Sequence, residues 1–474
     1  MKLSSDIPVS SPFIFADKGD GLLSLRSTRE SILRLAAVVL HFHKICADYE
    51  NQPLQFAADH TMAPELIAAC WRVGVPFRVV PVHDAAQAGS EPIAAFQPVD
   101  YQWQEAIQLY LKDNGAGFDH GCLPSSIPDQ KVFSYIFTSG STGAPKLVGL
   151  KRAQMLEAAR NAAENARPAN DESWLLCLPL NHIGGASVVL RSWIYGNSVV
   201  DGRNSTPEML SAQLKTNESL TFASVVPTQL IRIMKDGVDH PVHASFKMML
   251  LGGGPSADSL VTEARSKNIP LVKSYGMTET CAQIAAVPAT EVKNYPASSS
   301  GRIFPNHRIS VRGASGKEVD TGESGLIWLK GPQIITEYLH HPDPESAFDS
   351  EGWFCTGDYG RVESDGWLFI EMRRSDLIVS GGENINPLEV EAFIRETFPN
   401  ATDVAVLGLP DETWGQKMVA WIAAEPSDSF NPSAVISTLK KSLPSFKVPK
   451  DVHIVHKLPR NNMGKLLRNE LKKS

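Results

Sequence analysis

Residues Tyr135 to Val148, YIFTSGSTGAPKLV, constrain this chain more than any other stretch. Tyr135, Ile136 and Phe137 read as a strand, and the next six positions, Thr138, Ser139, Gly140, Ser141, Thr142 and Gly143, carry four hydroxyls and two glycines. Backbone amides and hydroxyl donors in such a run can converge on an anion, because the glycines bring no Cβ into the way. Lys146 closes the run with a positive charge. The common nucleotide-binding P-loop has a glycine directly before its lysine and a serine or threonine after it; here Pro145 and Leu147 stand there instead. Proline also disfavours helical backbone in the residue before it, so the loop should not run straight into a helix whose N-terminus holds the phosphate. A mobile phosphate-binding flap is the expectation, and read alone the same composition also fits a flexible linker.

At 474 residues the chain is too long for one simple core. With 45 Lys plus Arg against 52 Asp plus Glu, its net charge of -7 gives no electrostatic reason to expect nucleic acid or an anionic membrane as partner. No stretch reaches the roughly 20 apolar residues of a membrane span, and the N-terminal MKLSSDIPVSSPFIF has no continuous apolar signal-peptide core. Six scattered cysteines, Cys46, Cys70, Cys122, Cys177, Cys281 and Cys355, form no CxxC pair and no zinc spacing, which points to reduced thiols in the cytoplasm. The oligomeric state is open, with a homodimer the candidate assembly.

Strand and helix patterns alternate through the first part. A capping box at Ser27 to Glu30 opens an apolar-periodic helix through Leu33, Ala37 and Leu40; LQFAAD, APELIAACWRVG and PFRVVPV then read as strand, helix, strand. Such alternation implies parallel sheets with right-handed crossovers. Three later stretches repeat one layout, an apolar run broken by glycine. In LLCLPLNHIGGASVVL a strand ends at Leu178 to Leu180, and Gly184 and Gly185 precede a helix, so that His182 could line a pocket or serve structure alone. KMMLLGGGP runs into Gly252, Gly253 and Gly254, either a tight turn or bare backbone at a strand's carboxyl end, where open parallel sheets bind ligands. LVKSYGMTET ends in Ser274, Tyr275, Gly276, Met277, Thr278 and Glu279: an aromatic face for a purine, a hydroxyl for phosphate and a carboxylate for Mg2+, with Thr278 also able to cap a helix.

From Gly301 the chain turns into short β-like pieces, among them EGWFCTGDYG, which places Asp358 on a turn, and then Arg373 in MRRSD. From Asp376 onward a small α+β domain follows, closing in a basic loop, PRNNMGKLLRNELKKS, with Lys465 after Gly464. Taken singly, Asp358 also reads as a turn former and the basic loop as a solvated tail.

Together, TSGSTGAPK, YGMTE, GWFCTGDYG and PRNNMGKLLR resemble, in order and over nearly the whole chain, the signatures of the adenylate-forming enzymes, the superfamily of acyl- and aryl-CoA ligases, luciferases and peptide-synthetase adenylation domains. The resemblance implies an α/β fold: a large N-terminal domain of layered parallel sheets with a β-rich subdomain, residues 1–374, and a small mobile α+β domain, residues 375–474. It implies ATP, Mg2+ and coenzyme A as cofactor and co-substrates. Thr138 to Lys146 would hold the β- and γ-phosphates, Gly252 to Gly254 with Ser274 to Met277 the adenine, and Asp358 with Arg373 the ribose. Thr278, Glu279 as metal ligand and Lys465 would serve catalysis, His182 and Gly185 would face the acid, and Gly381 and Gly382 a channel for coenzyme A. Three positions depart from the family pattern: Asn181 where an aromatic is usual, Met372 where glycine is usual, and Ser375 at a hinge often held by Asp or Lys.

A carboxylate is a poor acyl donor because its leaving group would be oxide. Attack on the α-phosphorus of ATP converts it to an acyl adenylate, from which a thiol displaces AMP. Among the superfamily's branches, LPLNHIGG with LRSWIYG and LLGGGP with YGMTETCAQ look most like the o-succinylbenzoate-CoA ligases of menaquinone and phylloquinone synthesis. Their substrate keeps an aromatic carboxylate after activation, for which Arg191 is the candidate cation, a surface arginine being the other reading. A ligase for another acid, or a module loading a carrier protein, are the alternatives.

Overall fold

The computed structural model describes residues 12–17, 23–28, 31–33, 35–36, 39, 54–59, 62–80, 128–138, 146–235, 241–339, 347–381, 383–425, 430–460 and 466–471. Ser139 to Gly143, Gly382 and Lys465 lie outside them. By compactness the chain divides into two units. The first is Met1–Ile309, Trp328–Cys355 and Asp365–Leu368; the second is Ser310–Ile327, Thr356–Ser364 and Phe369–Ser474.

The first unit opens with a hairpin, β1 (Pro12–Asp17) and β2 (Leu23–Thr28), which no pattern in the sequence had suggested. The reciprocal cap expected at Ser27 and Glu30 falls one residue later, at the last residue of β2: the Thr28 amide donates to Ser31 Oγ at 3.0 Å and the Ser31 amide to Thr28 Oγ1 at 3.3 Å. Then come β3 (Leu54–Ala57), α1 (Ala63–Val73) and β4 (Phe77–Val80), the expected parallel unit. Pro64 near the start and Gly74 at φ 71° after the end delimit α1, since proline costs no hydrogen bond in the first turn and glycine accepts left-handed backbone. β5 (Val132–Thr138) pairs parallel with β4, then antiparallel with β6 (Lys146–Lys151), completing a four-stranded sheet.

After α2 (Arg152–Ala166), strands and helices alternate: β7 (Ser173–Leu176), α3 (Ile183–Tyr195), β8 (Ser198–Asp201), α4 (Pro207–Thr216), β9 (Leu220–Val225), α5 (Pro227–Lys235), β10 (Met248–Leu251), α6 (Asp258–Ser266) and β11 (Leu271–Met277). β12 (Ala282–Ala286) and β13 (Arg302–Ile303) fold back antiparallel. The nine-stranded sheet runs β13-β12-β11-β10-β9-β7-β8-β1-β2. Its inner strands β7, β9 and β10 are buried at every position, as parallel strands covered on both faces must be, which explains their unbroken apolar runs. β7 stops at Leu176, two residues before the expected Leu178 to Leu180, which form the turn into α3.

A second four-stranded sheet follows in sequential order, β14 (Arg308–Arg312), β15 (Gly325–Lys330), β16 (Phe354–Val362) and β17 (Leu368–Arg373), and its strands contribute residues to both units. β15 alternates buried and half-buried residues, the mark of a sheet covered on one face. The last sheet contains β18 (Ile378–Ser380), β19 (Glu383–Ile385), β20 (Asp403–Asp411), β21 (Gly415–Ala423) and β22 (Asp451–Val455). α7 (Pro387–Thr397) and α8 (Pro432–Leu439) cover one face, where Val390, Ile394, Val404, Val406, Val435 and Leu439 form a core. Ala405, Leu407 and Trp421 point to the other face and pack against Leu471 of the terminal α9 (Arg468–Leu471). The architecture is α/β with a separate α+β C-terminal part, as the motifs implied.

Candidate active site

The flap's two ends are paired: Thr138 opposes Lys146 where β5 and β6 run antiparallel. Lys146 begins a strand, in keeping with the proline before it. Its Nζ lies 4.5 Å above the centre of the Tyr338 ring.

β9 and β10 end side by side at Val225 and Leu251, in register with Lys273 of β11, which runs on to Met277. Their carboxyl ends therefore place Gly252 to Gly254 beside Ser274 to Met277. Gly252 packs on Ser274, since a Cβ there would lie 2.9 Å from Ser274 Oγ, which donates to Leu251 O at 3.1 Å. Gly253 has φ +77°, and Gly254 has nothing within 4 Å of where a Cβ would stand. Tyr275 is buried within β11, and at Gly276 a Cβ would sit 1.9 Å from Ala282 O, so only glycine permits β11 and β12 to close there.

Thr278 and Glu279 occupy a three-residue 3-10 turn. The hydroxyl that caps it is Thr280, accepting from the Met277 amide at 2.9 Å, and not Thr278 as expected: the turn is too short to reach from its first residue. Cys281 (φ 53°) and Ala282 (φ 82°) follow in left-handed backbone, which costs energy in residues with a Cβ and has to be held from outside. Gln333 holds it, its Nε2 donating to Thr280 O at 2.7 Å and also to Gln283 O. The Glu279 carboxylate is half-buried and accepts from the Tyr338 hydroxyl at 2.9 Å.

His182 is the N-cap residue of α3, and Gly184 and Gly185 lie inside its first turn instead of ahead of it. A Cβ on Gly185 would stand 2.3 Å from Pro179 O, so that glycine lets the helix start directly against the preceding turn. On the same helix Arg191 is 4% exposed, which removes the surface reading. Its guanidinium lies 3.6 Å over the Trp174 ring and donates to Ser224 Oγ at 2.8 Å, while its Nε has no hydrogen-bond partner among the described residues. Burial lowers its pKa to about 9. Arg191 lines a cavity of about 20 Å³ with Ala158 and Ala162 of α2, Ile183 and Ser187 of α3 and Gln283. Cys281 also borders it, and burial raises that thiol so far that it stays protonated.

In the second unit Asp358 lies in strand β16 and is buried, not on a turn. Gly357 (φ +75°) gives the local twist, and the Asp358 amide donates to Thr356 Oγ1 at 3.0 Å. Arg373 Nε stands 3.2 Å from Asp358 Oδ1, so the expected pair is brought together. Gly381 (φ +59°) donates to Trp414 O at 2.9 Å; the Trp414 ring is exposed and lies 4.4 Å beneath Lys450 Nζ. Around Lys465 the flanking residues are anchored. Arg460 and Leu466 form an antiparallel bridge, Arg460 Nε donates to Asp403 at 2.8 Å, and Arg468 Nε lies 3.4 Å from Asp376.

Sequence reasoning missed Trp174, Ser224, Gln333, Tyr338 and Trp414. The small-residue spacing of Ala158, Ala159 and Ala162 could have marked the cavity wall; Tyr338 and Gln333 carried no signal, since their role comes from packing across more than fifty residues.

Residues 35–339 match the AMP-binding enzyme family and residues 389–465 its C-terminal domain. The 2-succinylbenzoate-CoA ligase of Listeria monocytogenes serotype 4b is 38% identical over 72% of this chain and 70% of its own, and that of Bacillus licheniformis is 37% identical over 84% and 76%. The o-succinylbenzoate CoA synthetase from Bacillus subtilis, in complex with its acyl-adenylate intermediate, superposes with a TM-score of 0.82 at 26% identity, covering 98% of this chain and 95% of that one. ATP-bound MatB from Rhodopseudomonas palustris has a TM-score of 0.84 at 22% identity over 99% and 96%, a likeness of fold. Matched in both its larger and its C-terminal part, and more than a third identical to those ligases, this chain belongs to the AMP-binding enzyme family.

Proposed function

We propose that this chain is an AMP-forming ligase that joins 2-succinylbenzoate to coenzyme A. The observation that carries the choice of acid is Arg191, a buried guanidinium with no carboxylate partner and an unbonded Nε among the described residues, on a cavity wall built by α2 and α3. A buried, unpaired cation costs several kcal/mol, and an anionic group arriving in the cavity would offset it. The benzoate carboxylate that stays unreacted is such a group. The cavity must widen to admit the acid, and the flexible Met155 at its edge is suited to give way. His182 and Gly185 at the start of α3 border the same acid.

In the first half-reaction an oxygen of the succinyl carboxylate bonds to the α-phosphorus of ATP and pyrophosphate leaves. Gly252 to Gly254 with Ser274 to Met277 take the adenine, Asp358 with Arg373 the ribose, and the flap from Thr138 through Ser139, Gly140, Ser141, Thr142 and Gly143 to Lys146 the β- and γ-phosphates. Thr278 donates to phosphate. The donor set at Glu279 fits Mg2+, which takes one or two carboxylates beside substrate phosphates; no group of three or more His, Cys, Asp or Glu able to hold an ion exists among the described residues. When bound, Mg2+ would neutralise phosphate charge. Lys465, on the domain of residues 375–474, neutralises charge growing between the two anions, a contribution of roughly 3 to 4 kcal/mol, about 100- to 1000-fold in rate.

In the second half-reaction the thiol of coenzyme A attacks the acyl carbon and AMP leaves. Gly381 and Gly382 border the thiol's channel, and the exposed Trp414 ring with Lys450 offers stacking and positive charge to the coenzyme. ATP and coenzyme A are supplied in the cytoplasm, where we place the enzyme; light scattering tests the homodimer. Pyrophosphate release across a panel of acids, with and without coenzyme A, tests the reading. Release with 2-succinylbenzoate, and thioester only when coenzyme A is present, is expected. Preference for an acid with a single carboxylate would overturn the choice of substrate.

A further inference from the structure

The segment Gln333 to Leu339 grips the turn that carries Glu279 at both main chain and side chain. Ile335 N donates to Glu279 O at 3.0 Å, and the Tyr338 hydroxyl donates to Glu279 Oε1 at 2.9 Å. The same segment holds the flap's return strand: Leu339 N donates to Leu147 O at 2.9 Å, and Lys146 Nζ lies 4.5 Å over the Tyr338 ring. One buried tyrosine therefore touches both Glu279 and Lys146, the first through its hydroxyl and the second through its ring face.

We infer that Tyr338 is a positioning residue that fixes the Glu279 carboxylate for metal binding and seats Lys146, tying the flap to the metal ligand. The inference rests on the proposed roles of Glu279 and Lys146. With Oε1 engaged by the hydroxyl, the plane of the carboxylate is set and Oε2 is presented to the metal as a single donor. Hydrogen bonds behind a metal ligand act in this way, and their loss typically costs about 10- to 100-fold in metal affinity. The ring contributes separately, because a cation over an aromatic face needs no hydroxyl.

Two variants of the full-length protein separate these contributions. Tyr338→Phe removes the hydroxyl and keeps the ring; Tyr338→Leu removes both. Binding of Mn2+ to the enzyme with ATP is read from the free-Mn2+ resonance, and ATP binding without metal by calorimetry. Tyr338→Phe is expected to weaken Mn2+ by about tenfold or more with metal-free ATP binding unchanged and with turnover recovering as Mg2+ is raised. Tyr338→Leu is expected to weaken metal-free ATP binding as well. Mn2+ affinity in Tyr338→Phe within twofold of wild type would overturn the metal role, and equal metal-free ATP affinity in the two variants would overturn the lysine role. Wild-type pyrophosphate release in the same preparation distinguishes the failures. Its absence contradicts the proposed reaction, whereas unchanged Mn2+ binding beside full wild-type release contradicts Tyr338 alone.

Discussion

The carboxyl edge of β9, β10 and β11 and the cavity around Arg191 are built in opposite ways. The edge is mostly backbone: Gly252 to Gly254 leave room, Gly276 lets two strands close within 1.9 Å of a hypothetical Cβ, and the strands' parallel register sets the spacing. The cavity is side chain throughout, drawn from α2, α3 and the turn after Glu279, with Trp174 and Ser224 holding its arginine. A backbone-built site suits the part of the reaction common to every acid, while a side-chain-built one can change with the acid. Adenine, ribose and phosphates are the same whatever is activated; only the acid differs.

That contrast is broken or sharpened by variants on each side. The largest effect is expected on the common side. Lys465→Ala should slow adenylation by about 1000-fold for every acid, yet largely spare thioester formation from supplied adenylate, as separate assays of the half-reactions would report. Equal loss of both would contradict the assignment of Lys465 to the first step. Next comes Arg191→Met, which should lower kcat/KM for 2-succinylbenzoate by about 100-fold, with KM for ATP unchanged and little effect on an analogue lacking the aromatic carboxylate. A uniform loss across acids would erase the distinction between the two regions.

The smallest effect is in pH. Arg191 has its folded pKa lowered to about 9 by burial, so it is protonated at neutral pH and sheds its proton as pH rises through that value. The burial penalty on the free chain is thus fully present at pH 7 and relieved above about 9. Affinity for the acid should run the other way, flat near neutrality and falling above pH 9 in the wild type, with no such fall in Arg191→Met, as KM profiles would show.

The same contrast explains what the sequence made legible. TSGSTGAPK, LLGGGP, YGMTE and GWFCTGDYG are contiguous because backbone sites are made by consecutive residues; among the described residues Thr138 ends β5, LLGGGP and YGMTE fall at the ends of β10 and β11, and Asp358 lies inside β16 beside Arg373. The buried strands were equally plain, since cover on both faces forces continuous apolar runs. Errors were local. Thr280 took the cap expected of Thr278, and Thr28 that of Ser27, because competing hydroxyls stand one or two residues apart and the strand or turn boundary decides between them. Arg191 was named but not placed, for no pattern within α3 tells a buried arginine from an exposed one. The Tyr338 to Glu279 bond spans 59 positions and left no trace in either neighbourhood.

The central claim, that the acid's own oxygen bonds to the α-phosphorus of ATP, is tested most directly by isotope transfer. With 2-succinylbenzoate carrying 18O in its succinyl carboxylate, turnover in the presence of ATP, Mg2+ and coenzyme A should leave one 18O in AMP and none in pyrophosphate, as mass spectrometry would read. Formation of ADP with the label in inorganic phosphate would mean attack at the terminal phosphorus and would contradict the account.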